Sequence, residues 1–216
     1  GITVSAQQAS WIREHLADLP IRVELCDYRQ LPARDPGLFD RIASVGMFEH
    51  VGRRNDHTFF RTLKRLLHPH GLALLHTIGS ARSTSRTDPW IDRYIFPGGR
   101  LPSARQLTDG LEESFLIEDW ENFGYDYDRT LVHWWQNFER AWPRLERDST
   151  PEFFRFWRYY LLSCAGFFRS RQGLLWQLVL SRPERSSAYQ SWRPARQEEP
   201  TLMLQDASIH GQACSA

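Results

Sequence analysis

The sequence contains little lysine, little cysteine and no long apolar run. Arginine supplies nearly all of the positive charge, because Lys64 is the only lysine, and the formal net charge is +1 at pH 7. A chain so close to neutrality has no overall electrostatic attraction for nucleic acid, so we expect no nucleic-acid partner. No apolar run approaches the about 20 residues that a membrane-spanning helix requires.

The three cysteines, Cys26, Cys164 and Cys214, lie far apart in the sequence. None of them belongs to a CxxC pair or to a Cys/His spacing typical of zinc ligands. An odd, scattered set argues against a disulfide framework and against structural zinc. We therefore expect a reduced, cytoplasmic protein without a bound metal.

A phosphate-binding glycine loop is also missing, since GxGxxG occurs nowhere in the sequence. Residues 39–79 instead show an apolar run ending at Glu49 and His50, a helical pattern, and a second apolar run ending at His76. Parallel strands joined by a helical crossover place their C-terminal ends on one edge of the sheet, where open α/β sheets bind ligands. We therefore expect these three side chains to lie near one crevice, although His50, directly beside Glu49, is predicted to point to the other face and to be structural.

The same alternation of strand and helix patterns continues along the chain. It indicates a doubly wound α/β domain over residues 1–185 and a disordered tail over residues 186–216. Ser5 is a plausible N-cap for the first helix, and residues 123–127 resemble a turn. We predict strands over residues 1–5, 22–26, 41–45, 72–76, 114–120 and 174–181, and helices over residues 6–19, 55–67, 103–111, 131–142 and 152–169.

Large apolar side chains are unusually frequent in two regions. Residues 80–105 form a long loop that carries several of them, which is typical either of a lid or wall of a site or of a loop packed on the core. The helical patterns over residues 131–142 and 152–169 are dense in aromatic residues. Such stripes usually form core, and a tunnel for an acyl chain is the less favoured interpretation.

Several unbroken strings resemble the cyclopropane-fatty-acyl-phospholipid synthases: FDRIASVGMFEHVG, LLHTIGS, DPWIDRYIFPGG, EDWENFGYDYDRTL and LWQLVLSR. The resemblance runs from Gly1 to about Arg182. It implies a Rossmann-like S-adenosylmethionine-dependent methyltransferase fold and the transfer of a methylene to the cis double bond of an acyl chain in a membrane phospholipid, which forms a cyclopropane ring. It further implies a phospholipid bilayer as partner, a peripheral location at the inner face of the membrane, and a possible homodimer.

The resemblance also bears on the start of the sequence. In this family GITVSAQQ is preceded by the first strand of the fold with its glycine-rich turn, and before these by a small helical domain. We therefore expect the sequence to be the C-terminal part of such an enzyme, lacking the first strand and its turn. We also expect a chain of this extent to bind the cofactor weakly by itself.

The resemblance assigns roles to particular residues. The alkene attacks the sulfonium methyl of S-adenosylmethionine, and a bicarbonate ion serves as the base that removes a proton to close the ring. The positions matching the bicarbonate site are Glu49, His76, the backbone of Ile78, and Tyr127. The positions matching the cofactor site are Thr3, Ser5, Gln8, Asp27, Tyr28 and Gly46.

Other interpretations stay open at this point. Without the resemblance, Ser5 reads as a helix cap, Asp27 as a turn residue and Gly46 as a bend. The enzyme could instead be a related lipid methyltransferase that leaves a methyl or methylene branch. A third reading is a non-catalytic chain that retains at most a membrane or partner surface.

Overall fold

Strands and helices alternate through most of the chain, and the structure, a computed structural model, describes residues 1–33, 39–84 and 86–191. The strands are β1 (Ile2–Thr3), β2 (Glu24–Leu25), β3 (Phe39–Val45), β4 (Leu67–Ser80), β5 (Leu116–Asn122) and β6 (Gly173–Ser181). The helices are α1 (Ala6–His15), α2 (Asp56–Leu66), α3 (Pro89–Tyr94), α4 (Ala104–Leu111), α5 (Gly124–Leu145) and α6 (Pro151–Arg169). Short 3-10 turns cover Tyr28–Ala33, Phe48–His50 and Arg53–Asn55.

The strands form two separate sheets. β1 and β2 pair in parallel, and the larger sheet has the order β3-β4-β6-β5. β3 runs parallel to β4, whereas β6 is antiparallel to both of its neighbours. The sheet is therefore mixed, with a parallel β3–β4 pair and an antiparallel last strand. Its direction follows from the helical hairpin of α5 and α6, which returns the chain to the edge of the sheet where β5 ended.

Each face of the larger sheet is covered by a separate pair of helices. α2 and α4 cover one face, where Phe59, Phe60 and Leu107 pack with Leu75 and Leu178 of the strands. The other face lies against α5 and α6, whose buried residues surround Leu175 of β6. Complete burial of one such side chain stabilises the fold by about 1.5–3 kcal/mol. The two layers hold β4 and β6 at the centre of the domain.

Residues 80–105 contain the short helix α3, although the sequence predicts a loop over this range. Asp88 caps this helix by accepting hydrogen bonds from the backbone N–H groups of Trp90 and Ile91, both at 3.0 Å. The Trp90 ring packs against Phe156 and Tyr159 of α6, with ring centroids 4.9 and 4.7 Å apart. The segment is therefore attached to α6 and forms a wall beside it.

Several element boundaries differ from the sequence prediction. α1 ends at His15 instead of residue 19, β4 is much longer than predicted, and α5 begins at Gly124, so residues 123–127 are not a turn. Residues 186–191 have no helix or strand, while the remainder of the predicted tail lies outside the described residues. Within the described part of the chain, no helix combines the length and apolar character needed to cross a bilayer.

Candidate active site

Glu49 lies in the 3-10 turn that follows β3. Gly46 begins this turn with φ = 61°, a left-handed conformation that side-chain-bearing residues adopt at a cost. Its N–H donates to the carbonyl of His76 at 3.0 Å, which ties the turn to the adjacent strand β4. Phe48 is fully buried in the core and anchors the turn from inside. The Glu49 backbone is therefore held from both sides.

The Glu49 carboxylate is buried and only half satisfied. Glu49 is 7% exposed, and its Oε1 atom accepts a hydrogen bond of 2.7 Å from the backbone N–H of Ile78. Oε2 is also buried, but it has no hydrogen-bond partner among the described residues. Because burying a charged oxygen without a partner is costly, such an atom marks a place where a ligand group could bind.

A buried ion pair secures the same turn, and sequence patterns gave no sign of it. The backbone N–H of Arg100 donates to the carbonyl of Glu49 at 2.8 Å. Its guanidinium lies over the Phe48 ring, 5.7 Å from the centroid, and contacts Asp56 at 2.5 Å. Burial raises the pKa of Asp56, and the nearby Arg100 opposes that rise. The pair joins residues 80–105, called the wall segment below, to the first residue of α2.

His76 and Ile78 occupy the same face of β4, because alternate strand residues point to the same side. This is the face covered by α5 and α6, against which Ile78 packs. The Nδ1 atom of His76 lies 3.0 Å from Nε2 of Gln177, the residue opposite it on β6. Sequence reasoning did not single out Gln177, since a glutamine within an apolar strand carries no recognisable motif.

Tyr127 lies in the first turn of α5, not at a strand end. The prediction of a turn over residues 123–127 is therefore wrong at Tyr127, and the prediction that a strand ends at His76 is also wrong, because His76 lies inside β4. Burial raises the pKa of Tyr127, and electrostatic interaction with Cys164 and Glu49 raises it further. Because the Glu49 carboxylate influences this pKa, the two side chains share one electrostatic environment.

Two residues of α6, Tyr160 and Cys164, adjoin this environment and were also missed by the sequence reading. Burial raises the pKa of Tyr160 to about 12, with smaller contributions from Cys164 and Tyr127. Burial likewise raises the pKa of the Cys164 thiol to about 11. Their four-residue spacing places them on one helix face, a signal that could have identified them. At neutral pH both groups are uncharged, so the site is lined by neutral donors.

Aromatic rings enclose the same region. The Tyr127 ring contacts Phe168 edge-on at a centroid distance of 4.9 Å, and the Tyr160 ring contacts Trp157 at 5.5 Å and Phe96 at 6.4 Å. The region is therefore apolar apart from a few polar groups, as binding sites for small molecules commonly are.

His50 is exposed and lies outside this cluster. Its ring stands edge-on to Phe96 at a centroid distance of 5.8 Å. The structural role predicted for His50 stays a prediction.

Three of the predicted cofactor residues meet at the start of α1. Ser5 caps the helix by accepting the N–H of Gln8 at 3.3 Å, as predicted. The Thr3 hydroxyl donates to Oε1 of Gln8 at 2.7 Å and accepts the N–H of Ser5 at 3.1 Å. The structure thus gathers the three polar side chains at the C-terminal end of β1, although every one of these bonds also has a purely local role.

Asp27 and Tyr28 follow β2. Asp27 Oδ1 accepts the backbone N–H of Arg29 at 2.9 Å, and Oδ2 accepts from the Arg29 guanidinium at 2.7 Å. These hydrogen bonds lower the pKa of Asp27. The Tyr28 ring contacts Phe59 of α2 edge-on at 5.7 Å. The turn reading of Asp27 therefore has a direct structural basis.

Gly46 has open space where a side chain would begin, since no atom lies within 4 Å of the position of a Cβ atom. The backbone of this turn can therefore be approached closely by a bound group. By contrast, the described residues contain no group of three or more His, Cys, Asp or Glu side chains placed to hold a metal ion.

Comparison with known proteins identifies the family. The family model described as "Mycolic acid cyclopropane synthetase" matches residues 1–178. The chain belongs to this family. It is 48% identical over 182 residues to the cyclopropane-fatty-acyl-phospholipid synthase of Escherichia coli (strain K12), covering 84% of this chain and 47% of that protein. It is 33% identical to a probable fatty acid methyltransferase of Pseudomonas putida, covering 85% of this chain and 48% of that protein.

Solved structures agree with this assignment. The cyclopropane synthase MmaA2 from Mycobacterium tuberculosis superposes with a TM-score of 0.74 at 26% identity, covering 84% of this chain and 69% of that chain. The mycolic acid cyclopropane synthase CmaA1 in complex with SAH and CTAB gives a TM-score of 0.73 at 28% identity over the same shares. The predicted methyltransferase fold and the predicted resemblance are thereby confirmed. The chain spans about half the length of the curated relatives it matches.

Proposed function

We propose that this chain carries the proton-accepting site of an S-adenosylmethionine-dependent enzyme that adds a methylene across the cis double bond of a phospholipid acyl chain, forming a cyclopropane ring. The 48% identity to the Escherichia coli synthase supports this proposal. The observation that carries it is the Glu49 carboxylate, which is buried and hydrogen-bonded through one oxygen while the other has no partner among the described residues.

We propose bicarbonate as the base in this site. Glu49 Oε2 can accept the hydroxyl hydrogen of bicarbonate, which would offset part of the repulsion between the two anions and satisfy the buried oxygen. Tyr127 is a neutral donor at physiological pH, because its pKa is raised. The N–H of Ile78 is already bound to Glu49, so its contribution is to orient the carboxylate. These donors and acceptors suit a small planar anion, which would take the proton that leaves the new methyl group.

The cofactor residues fit S-adenosylmethionine on one structural observation, the open approach to the Gly46 backbone. When bound, the cofactor supplies the electrophilic methyl carbon that becomes the ring carbon. The chain's own part is to exclude water and to present aromatic faces, here Tyr127, Tyr160 and Phe168, to the positive charge that develops on the acyl chain. Thr3, Ser5, Gln8, Asp27 and Tyr28 stay proposed binding residues.

A direct test uses the full-length protein with S-adenosylmethionine and vesicles of a phospholipid that contains a cis-unsaturated acyl chain. We expect a cyclopropane product in the mass spectrum, a slower reaction when enzyme and buffers are freed of carbon dioxide, and recovery on addition of bicarbonate. Unchanged activity in carbonate-free buffer would show that a protein group takes the proton. No transfer of any one-carbon unit would overturn the proposed function.

The second candidate is a lipid methyltransferase that leaves a branch and no ring. The 33% identity to a probable fatty acid methyltransferase of Pseudomonas putida supports this second candidate. The same mass spectrum recognises a methyl branch, which is heavier than a ring by a pair of hydrogen atoms. A methylene branch has the same mass as a ring, so the terminal-alkene signals in the proton NMR spectrum of the extracted lipid separate those two products.

A bilayer surface is the proposed partner, reached from the cytoplasmic side. Exposed aromatic side chains stand on the wall segment and on α6 near the site, among them Tyr94 at 51% and Tyr159 at 55% exposure. Aromatic rings with a polar end suit the interface between water and lipid. Co-sedimentation with phospholipid vesicles should fall when Tyr94 and Tyr159 are changed to serine; unchanged binding would place the contact elsewhere. Homodimer formation stays a prediction, measurable by sedimentation velocity.

A further inference from the structure

We propose that Gln177 is a positioning residue that fixes the tautomer of His76, so that the histidine presents an Nε2–H donor to the site. Its last step, the use of that donor by the bound anion, rests on the proposed function. The tautomer itself follows from the strand register together with the orientation of the Gln177 amide.

The pairing of β4 with β6 places the two residues side by side. His76 stands opposite Gln177 in an antiparallel ladder that extends without interruption from the Leu72–Ser181 pair to the Ser80–Gly173 pair. Side chains of directly opposed residues project to the same face of the sheet, with Cβ atoms about 4.5–5.5 Å apart. A slip by one residue would send every apolar side chain of β6 to the wrong face. The register therefore fixes Gln177 beside His76.

The atoms in contact determine which partner donates. Nε2 of Gln177 is an amide nitrogen, which has two hydrogens and cannot accept, and it lies 3.0 Å from Nδ1 of His76. With the Gln177 amide in this orientation, Nδ1 is the acceptor. In a neutral imidazole the single proton then resides on Nε2.

This tautomer matches what the neighbouring groups need. The Glu49 carboxylate offers only acceptor atoms, and an anion beside it offers mainly acceptors. A histidine that presented a lone pair there would add repulsion, whereas an Nε2–H donor adds a hydrogen bond. By holding Nδ1, Gln177 also prevents His76 from competing for the proton that the base must take. Gln177 thus acts through His76 and touches no reacting atom in this scheme.

The polar row continues one strand further. Glu121 of β5 stands opposite Gln177 in the register of β5 with β6. The row from His76 through Gln177 to Glu121 crosses three adjacent strands.

Replacing the amide by a carboxylate at position 177 would change the partner of His76 while preserving size and shape, which makes Gln177→Glu the sharpest variant.

The test is nitrogen-15 NMR of the full-length protein labelled in histidine, with the His76 resonances assigned by their loss in His76→Asn. In the unmodified protein we expect a protonated Nε2 and an unprotonated Nδ1. In Gln177→Glu, the carboxylate accepts, so we expect protonation of Nδ1. Turnover should fall about tenfold, a change of about 1.4 kcal/mol, while the KM for S-adenosylmethionine stays within about twofold.

Gln136→Glu is the matched control, because Gln136 is an exposed glutamine of α5. It should leave both the His76 spectrum and turnover unchanged. Gln177→Met removes the donor without adding an acceptor, and we expect a mixture of tautomers with a smaller loss of turnover.

Two outcomes overturn the proposal: protonated Nδ1 in the unmodified protein, or the same His76 spectrum after Gln177→Glu. The first needs no substitution at position 177, so a failure of Gln177→Glu to fold does not remove the test. Failure of the proposed function is distinguishable, since it would appear as absent methylene transfer in a protein whose His76 still shows the Gln177-dependent tautomer. That result would leave the positioning role supported and assign the site to other chemistry.

Discussion

The two halves of the proposed site differ in how they are held. On the base side, Glu49 is buried, bonded to Ile78 of the next strand and secured by the Arg100–Asp56 pair. On the cofactor side, the polar residues at the start of α1 bond mainly to each other, and Ala9 is the buried residue of that helix. Long-range contacts therefore hold the first group, and local contacts hold the second.

The sheets show the same difference. β4 is paired on both sides within the larger sheet, whereas β1 and β2 form a two-stranded sheet of their own. Val4 beside β1 is 79% exposed and Val45 at the end of β3 is 65% exposed. Two paired strands are marginal by themselves in water. Within this chain, the base side is preorganised and the cofactor side is not, which predicts opposite sensitivities to mutation.

The largest effect is expected from breaking the support of the base side. Arg100→Met leaves the Asp56 carboxylate buried without its partner, and we expect a loss of about 3 kcal/mol in the free energy of unfolding, measured in urea. Arg105→Met is the control, because Arg105 pairs with Asp109 while both side chains are largely exposed. It should change stability by less than about 0.5 kcal/mol. Equal effects would show that the buried pair does not stabilise the turn.

The next effect tests the chemistry of that side. Glu49→Gln keeps an oxygen for the N–H of Ile78 but loses the charge and the second acceptor. In the full-length protein we expect turnover to fall about 100-fold with little change in cofactor affinity, because Glu49 acts on the base. Kinetics and calorimetry with S-adenosylmethionine measure the two quantities. Glu139→Gln, on the exposed surface of α5, should change neither. Equal losses of turnover and of cofactor affinity in Glu49→Gln would assign Glu49 to cofactor binding instead.

A smaller effect depends on pH. The folded-state pKa of Cys164 is raised from 9.0 to about 11, so its neutral form stabilises the native state fully below pH 9, and this contribution is lost as the pH rises through about 11. Allowing for partial exposure, we expect about 1–2 kcal/mol. Cys164→Ala should flatten the decline of unfolding free energy over that window. Ser163→Ala, on the exposed neighbour, should retain the original slope, and an unchanged slope in Cys164→Ala would contradict the assignment.

The smallest effect separates capping from binding on the cofactor side. Ser5→Ala should weaken α1 by about 1 kcal/mol, seen as faster amide hydrogen exchange in that helix. Ser5→Asp should restore the cap. If affinity for S-adenosylmethionine in the full-length protein returns with the cap, Ser5 acts only through the helix. If it does not return, the hydroxyl itself contacts the cofactor.

Sequence patterns predicted the elements that are locally encoded. The apolar runs of β3 and β4 and the Ser5 cap follow rules that operate within one turn or one strand. The start of α4 does so as well, where Ser103 and Gln106 form a reciprocal capping box. For these, periodicity and capping chemistry suffice.

The missed features depend on residues far apart in the sequence. The Arg100–Asp56 pair joins the wall segment to α2, and the contact of His76 with Gln177 depends on where β6 enters the sheet. Residues 123–127 were predicted as a turn, whereas in the structure Tyr127 lies in the first turn of a long helix. Glu49 was found because it follows an apolar run that predicts a strand, but its unpaired oxygen is a property of packing.

The position of β6 has a consequence for biosynthesis. β6 is the last strand of the larger sheet to be synthesised, yet it lies between β4 and β5. The edges of β4 and β5 that pair with β6 therefore have no hydrogen-bonding partner until Gly173–Ser181 has emerged from the ribosome. Late, long-range pairing of this kind slows folding and exposes edges that can pair with other chains. Nascent chains that stop before this strand should accordingly be those that most need a chaperone.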